Sequence, residues 1–399
     1  MFYFLCKRIL HGRLAVAASQ SHKVLCVSKN NPSSLSSSLL GVSASLTFRC
    51  ISSSSKKQSF TVSYLKKKCG LSSESALTAA KYVQFKTSDR ADTVIAFFKN
   101  HGFSEPQITR LIKRRPVVLV SDVETTLLPK LEFFRSKGIS SPDLVKILSD
   151  NPTILGSSLE KQIIPSFNCL SNFLSEEKII DAVKRYPRLL SYDLNAVLLP
   201  NINLLLDNGV PECNIVTTLH SLPSTLMRGP IQFKDMVDGA KDMGFIPSRP
   251  MFMVALFAMS SMSKSTWKKK FEVFKKFGWS EKEAFEAFRR YPTFVRVSED
   301  KFMAVMDFLV NKMGFQSLLI AKRPRILMMS LDKKIVPRGL YAQDLLSKGL
   351  IRHVNLQALL ETSDDLFVEK FVNRFKAEAS ELLKLYQEKL NHSKNWKIG

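Results

Sequence analysis

Residues 116–155 read PVVLVSDVETTLLPKLEFFRSKGISSPDLVKILSDNPTIL, and the fold is decided there. The stretch opens and closes on one phrase, Pro116-Val117-Val118-Leu119 and Pro152-Thr153-Ile154-Leu155. Two helix signatures lie between. Pro129 opens the first, because proline suits a position whose N–H is not needed. Leu127, Leu131 and Phe134 then share one helical face. Gly138 can take the left-handed conformation that closes a helix. Ser141-Pro142-Asp143 starts the second helix, Leu144, Val145, Ile147 and Leu148 form its stripe, and Pro152 stops it.

The phrase returns as Pro187-Arg188-Leu189-Leu190, Pro223-Ser224-Thr225-Leu226, Pro292-Thr293-Phe294-Val295 and Pro324-Arg325-Ile326-Leu327. Successive anchors lie 36, 35, 36, 69 and 32 residues apart. The 69 spans two periods, with a degenerate unit whose anchor falls near Ala258. A second proline follows by 13 residues at Pro129, Pro165, Pro200 and Pro337. A glycine precedes by 14 at Gly102, Gly138, Gly209 and Gly278, and Gly244 keeps that distance from Ala258. In the last of these units Gly314 stands only 10 before Pro324. Ser104 to Gln107 and Ser280 to Glu283 match the capping box.

Helix pairs of this size bury their faces only by stacking. The expected fold is therefore all-α: a stacked helical-repeat solenoid, or superhelix, of about seven ~35-residue units spanning 76–362. Ser363 to Leu390, with Phe367, Phe371, Phe375, Leu382 and Leu385, reads as one longer capping helix, with a tail over 391–399.

The N-terminus reads as an address. No Asp or Glu occurs before Glu74, while Ser33, Ser34, Ser36 to Ser38 and Ser52 to Ser55 make the segment serine-rich. Spaced cations (Lys7, Arg8, Arg13, Lys23, Lys29, Arg49) complete a transit-peptide composition. Arg49-Cys50-Ile51 resembles a mitochondrial presequence cleavage site, which favours mitochondrion over chloroplast. A transit peptide over 1–51 and a flexible basic linker over 52–75 are expected. Removing 1–51 takes away six Lys and Arg and no acid, leaving 53 cations against 35 acids, a charge of +18. The basic character thus belongs to the folded part, and it predicts a polyanionic partner.

Enzyme signatures are absent: there is no phosphate loop, no His-Glu-x-x-His and no Gly-x-Ser-x-Gly. Asp89/Asp92 and Asp364-Asp365 more simply start helices. The six cysteines form no Cys-x-x-Cys pair, so no metal or other cofactor is expected. The longest apolar run, Met251 to Met259, is far below the ~20 residues of a membrane span.

With period, phrase, second proline and glycine in place, residues 60 to 390 resemble the mitochondrial transcription termination factor family, in its land-plant branch. Arg289-Arg290-Tyr291-Pro292 and Lys184-Arg185-Tyr186-Pro187 are typical of that repeat. The resemblance implies a superhelix with a basic concave face for double-stranded nucleic acid, acting in organellar transcription termination, gene expression or intron splicing. Double-stranded DNA or structured RNA is the implied partner, with organellar RNA polymerase or splicing factors beside it. The missing fifth proline and the short sixth spacing depart from the pattern. A pentatricopeptide array has a similar period, but its Gly138-to-Asp143 look-alike does not recur.

Candidate nucleic-acid contacts recur at the anchors. They are Arg114 and Arg115, Lys184 and Arg185, Arg289 and Arg290, and Lys322 and Arg323, followed by Arg188, Arg228, Arg296 and Arg325. Cations at solenoid pitch can track a phosphate backbone. The competing reading is that they favour the negative ends of helix dipoles. Lys268-Lys269-Lys270 reads as a solvated face, Tyr186 and Tyr291 as core rather than base-stacking rings, and Met251, Met253, Met259 and Met262 as core. A protein-interaction scaffold whose charge serves solubility remains the alternative. A monomer is the default, since solenoids cap their own ends.

Overall fold

The computed structural model describes residues 60–375 and 379–392. The expected transit peptide over 1–51 and the tail beyond residue 392 lie outside the described residues. Those described are helical with no strand, in helix pairs that repeat at the expected period. They form two compact bodies, one ending at Phe233 and one beginning at Lys234. The division falls inside the helix Pro230–Asp242, which opens the degenerate unit.

In the first body, Leu128–Ser136 and Ser141–Asp150 form one complete pair. Gly138, at φ +77°, closes the first helix. Its N–H donates to the Arg135 carbonyl at 2.9 Å, and the Ile139 N–H reaches back to Phe134 at 3.1 Å. This double bond satisfies the last free carbonyls of the helix. The Ser140 side chain caps the second helix by accepting from the Asp143 N–H at 3.3 Å. Both expected capping boxes form, at Ser104 with Gln107 and at Ser280 with Glu283.

The proline phrase then works by geometry. Proline pushes the residue before it out of the helical region. Arg115 accordingly sits at φ −144°, ψ 76° and Tyr291 at φ −150°, ψ 80°, and the second helix ends there. Pro116–Val120, Pro187–Ser191, Pro223–Thr225, Pro292–Arg296 and Pro324–Met328 follow as tight 3₁₀ turns. Proline loses nothing at their first position. The phrase buries its third and fourth residues, and its second faces outward at Val117, Arg188, Ser224 and Arg325: Leu189 and Leu190 are 0% exposed while Arg188 faces solvent.

These turns are held from below by a device invisible in the hydrophobic pattern. A polar residue of the first helix, one position past the proline in the four units that have one, donates to carbonyls of the turn or of the residues beside it. Lys130 Nζ donates to Leu155 at 2.5 Å. Asn201 Nδ2 donates to Leu226 at 2.8 Å and Arg228 at 2.7 Å. Ser166 Oγ donates to Tyr192 at 3.2 Å. In the second body Lys270 Nζ donates to Val297, Lys301 Nζ to Met328 at 3.1 Å, and Arg338 Nη1 to Leu359 at 2.9 Å. Lys130, Asn201, Lys270 and Arg338 are buried. Buried polar groups without partners are costly, so donor and carbonyl each remove the other's penalty.

Several expectations are corrected. Lys270 is no part of a solvated run: only Lys268 and Lys269 are exposed. The degenerate unit has no turn, because Ala258 lies inside the continuous helix Pro250–Ser260. In the unit before Pro324 the glycine register holds, with Gly314 at φ +73°, and the loss falls on the second helix, Ser317–Ala321. A further pair follows, Val336–Ser347 and Leu356–Leu360. Part of the expected linker is folded: residues 60–67 are helical, Leu65 is buried and Tyr64 Oη donates to Asp92 Oδ1 at 2.6 Å. Tyr186 and Tyr291 are half-buried and Met251 is exposed, while Met253 and Met259 do lie in the core.

The closing segment is not one helix. Asp364–Val368 and the turn Glu369–Asn373 precede a separate helix, Ala379–His392. The break lets Phe367 and Tyr386 both pack on Tyr341, at 6.0 and 5.3 Å between ring centres. Lys389 pairs with Asp344 at 2.8 Å, fixing the last helix to Val336–Ser347.

Removing a latch leaves a buried carbonyl unpaired. Lys270→Ala is expected to cost about 1–3 kcal/mol, and Lys268→Ala less than ~0.5 kcal/mol. Urea denaturation of the chain from Ser52 measures both, and equal effects would refute the latch.

Candidate nucleic-acid interface

The anchor cations do not behave as one group. Some tie neighbouring units together. Arg114 donates to the carbonyl of Asp150, and Arg110 pairs with the Asp150 carboxylate at 3.2 Å. Arg185 Nη1 lies 3.2 Å from both the carbonyl and Nε2 of His220, whose ring faces Asp181 at 3.7 Å. In both cases a cation at one helix end caps the end of the next unit's second helix. Such carbonyls lack an intrahelical partner and carry the negative end of the dipole. The dipole reading thus holds, but across units rather than within one helix.

Lys184 reaches back to Asp143 at 2.7 Å. Hydrogen bonds from Lys184 and Ser140 hold the Asp143 carboxyl below its ordinary value. In the second body Arg323 pairs with Glu361 at 2.5 Å and donates to Gln357 at 2.7 Å. Arg289 pairs within its helix with Glu286 at 3.7 Å and lies beside Gly244, where a Cβ would stand 3.2 Å from its Nη2. The Arg296 guanidinium lies 4.2 Å from the centre of the Phe257 ring.

The remainder face water. Arg188, Arg290, Lys322 and Arg325 are exposed, and none forms an ion pair with a described carboxylate. Arg228 is exposed too; it and Arg188 favour ionisation of the Tyr186 phenol, though burial still moves that group upward. Arg290 precedes the turn Pro292–Arg296, Lys322 precedes the turn Pro324–Met328 and Arg325 lies on it, and the two turns pack on each other. Exposed cations without carboxylate partners at adjoining turns are suited to phosphate oxygens. Arg115 is set apart, half-buried beside Gly156.

The latch cations Lys130, Lys270 and Arg338 escaped the sequence reading. A signal existed: the residue after the second proline is polar in Lys130, Ser166, Asn201 and Arg338. Burial holds the amines of both Lys130 and Lys270 below the ordinary lysine value, with Arg115 adding to the effect at Lys130. Among the described residues no group of His, Cys, Asp and Glu is arranged to hold a metal, and no helix is long and apolar enough to cross a membrane.

The chain is therefore a helical-repeat protein with one cationic register divided between structure and surface. The mTERF family pattern matches residues 95–245 and 252–368. The chain belongs to the mTERF family, the mitochondrial transcription termination factors it resembled by sequence. No curated protein matches it.

The division of the cations is testable. Arg185→Ala is expected to cost about 0.5–1 kcal/mol, by removing a cap, and Arg290→Ala almost nothing. Matched denaturation curves decide, and similar losses would refute the division. Asp143 gives a pH test. Its folded-state pKa is depressed, so its stabilisation is present above the unfolded value of 3.8 and disappears as pH falls through the folded one. Lys184→Gln is expected to move the Asp143 titration, followed by carboxylate NMR, upward. An unmoved titration would remove Lys184 as a cause.

Proposed function

We propose that this chain is an organellar nucleic-acid-binding protein that regulates gene expression, by transcription termination or regulation on duplex DNA. One observation carries the reading. Arg290, Lys322 and Arg325 stand exposed on or two residues before two adjoining proline turns, without carboxylate partners among the described residues. Family membership supports it independently, as does the +18 charge left after residues 1–51. Arg188 and Arg228 serve the same purpose in the first body. The acid-poor N-terminus supports import into the mitochondrion.

Such contacts read phosphate rather than base edges, so affinity is set by counterion release. The logarithm of affinity is expected to fall with the logarithm of salt at about 0.9 per phosphate contact on duplex DNA. Binding of the chain from Ser52 to duplex DNA, duplex RNA and single strands across a salt series tests this. The triple variant Arg290→Ala, Lys322→Ala, Arg325→Ala is expected to lower the slope by about two to three units and to weaken all sequences alike. Feeble, equal binding to all nucleic acids at physiological salt would instead support the scaffold reading. An unchanged slope in the triple variant would clear those three residues of a role.

A further inference from the structure

A cleft of about 460 Å³ lies in the first body, apart from the exposed cations. Arg115, Lys130, Ser121, Ser157 and Gly156 line it, and no acid does. Lys130 is 4% exposed and uses one of its three N–H groups on Leu155. The Arg115 guanidinium makes no hydrogen bond or ion pair with a described residue. It lies directly over Gly156, where a Cβ would stand 1.8 Å from Nη2 and 2.3 Å from Cζ. Any larger residue at 156 would push the guanidinium out of this position.

Two cations share a half-enclosed space with hydroxyl groups and without a carboxylate. Like charges so placed oppose each other, and an anion between them turns repulsion into attraction. The guanidinium fork matches two oxygens of a tetrahedral anion, and serine hydroxyls can donate to a third. We infer that this cleft is a phosphate subsite that takes one phosphodiester of the nucleic-acid backbone. The inference rests on the nucleic-acid reading above and adds a fixed point to it. Exposed cations on long side chains follow a backbone loosely. A guanidinium seated on a glycine holds one phosphate in one place and so sets the register of the duplex on the protein. Arg115 is the residue that grips, Lys130 supplies buried charge, and Gly156 positions Arg115.

Two variants of the chain from Ser52 separate seating from charge. Arg115→Gln removes the charge. Gly156→Ala keeps it and displaces the guanidinium by one methyl group. Each is expected to weaken duplex DNA about tenfold, the scale of a lost charged hydrogen bond. Arg115→Gln is also expected to lower the salt slope by about 0.9. Far-UV circular dichroism checks the fold of each. If Arg115→Gln unfolds, Arg115→Lys, which keeps charge but loses the fork, replaces it. A second arm uses inorganic phosphate against chloride at matched ionic strength. Phosphate is expected to raise the Tm of the parent chain, and less so that of Gly156→Ala.

Steep duplex binding by the parent, unchanged in both variants, overturns the subsite and leaves the nucleic-acid reading intact. A loss in Arg115→Gln without one in Gly156→Ala also overturns it, because charge alone would then account for the effect. No duplex binding by the parent, with a phosphate response lost in Gly156→Ala, overturns the backbone assignment and leaves a site for free phosphate. No response in either arm overturns both.

Discussion

Ending a helix at a proline and turning tightly afterwards leaves carbonyl groups aimed into the interior. Water cannot reach them there, and the turn's own N–H groups are too few to satisfy them. The buried donor from the preceding helix answers that constraint. Lys130, Asn201, Lys270 and Arg338 each bring a side-chain N–H to the carbonyls that follow an anchor or its equivalent. The first helix, the turn and the apolar pair of the phrase are thereby fixed to one another. Everything carried on the turn inherits that position, including the outward cations. The donors differ chemically, and Ser166 supplies an O–H, so the requirement is for a hydrogen-bond donor at that place, not for a charge. A long amine or guanidinium reaches further than a serine, and its apolar stem adds packing on the way.

The same cationic register serves two ends because helix termini and phosphates are both negative. An arginine in the last turn of a second helix can reach the next unit's carbonyls, as Arg114 and Arg185 do, or remain in solvent, as Arg290 does. What separates them is whether a neighbouring helix end lies within reach. Where it does, the cation also closes the stack. At Pro292–Arg296 and Pro324–Met328, where one turn packs on the next, Arg290, Lys322 and Arg325 stay exposed, while Arg323 pairs with Glu361.

Departures from the repeat show which landmarks do structural work. The unit lacking its proline keeps Gly244 but runs a helix through the position where the turn should be. The unit with shortened spacing keeps Gly314 and its turn, and gives up length from the helix between them. The glycine survives both departures, since its left-handed conformation allows the closing hydrogen bonds, whereas the unit before Pro187 has Phe173 at that place. Its continuation at Gly349, at φ +72°, marks a further pair that has no proline phrase at all.

Helix pairs, their ends and the apolar faces were determined by sequence alone. Proline, glycine and capping serines act on the backbone within a few residues, and a face repeats within one helix, so each can be read locally. The family followed from the same local marks. Tertiary structure alone decided that Lys270 is buried beside exposed Lys268 and Lys269, and that Arg114 and Arg185 serve the neighbouring unit. It alone folded residues 60–67 and broke the closing segment so that Phe367 and Tyr386 meet on Tyr341. The physical reason is common to these cases. A long cationic side chain has the same local propensity in solvent, against a carbonyl or over a ring, and its choice depends on what another unit some thirty-five residues away, about one repeat period, places within its reach.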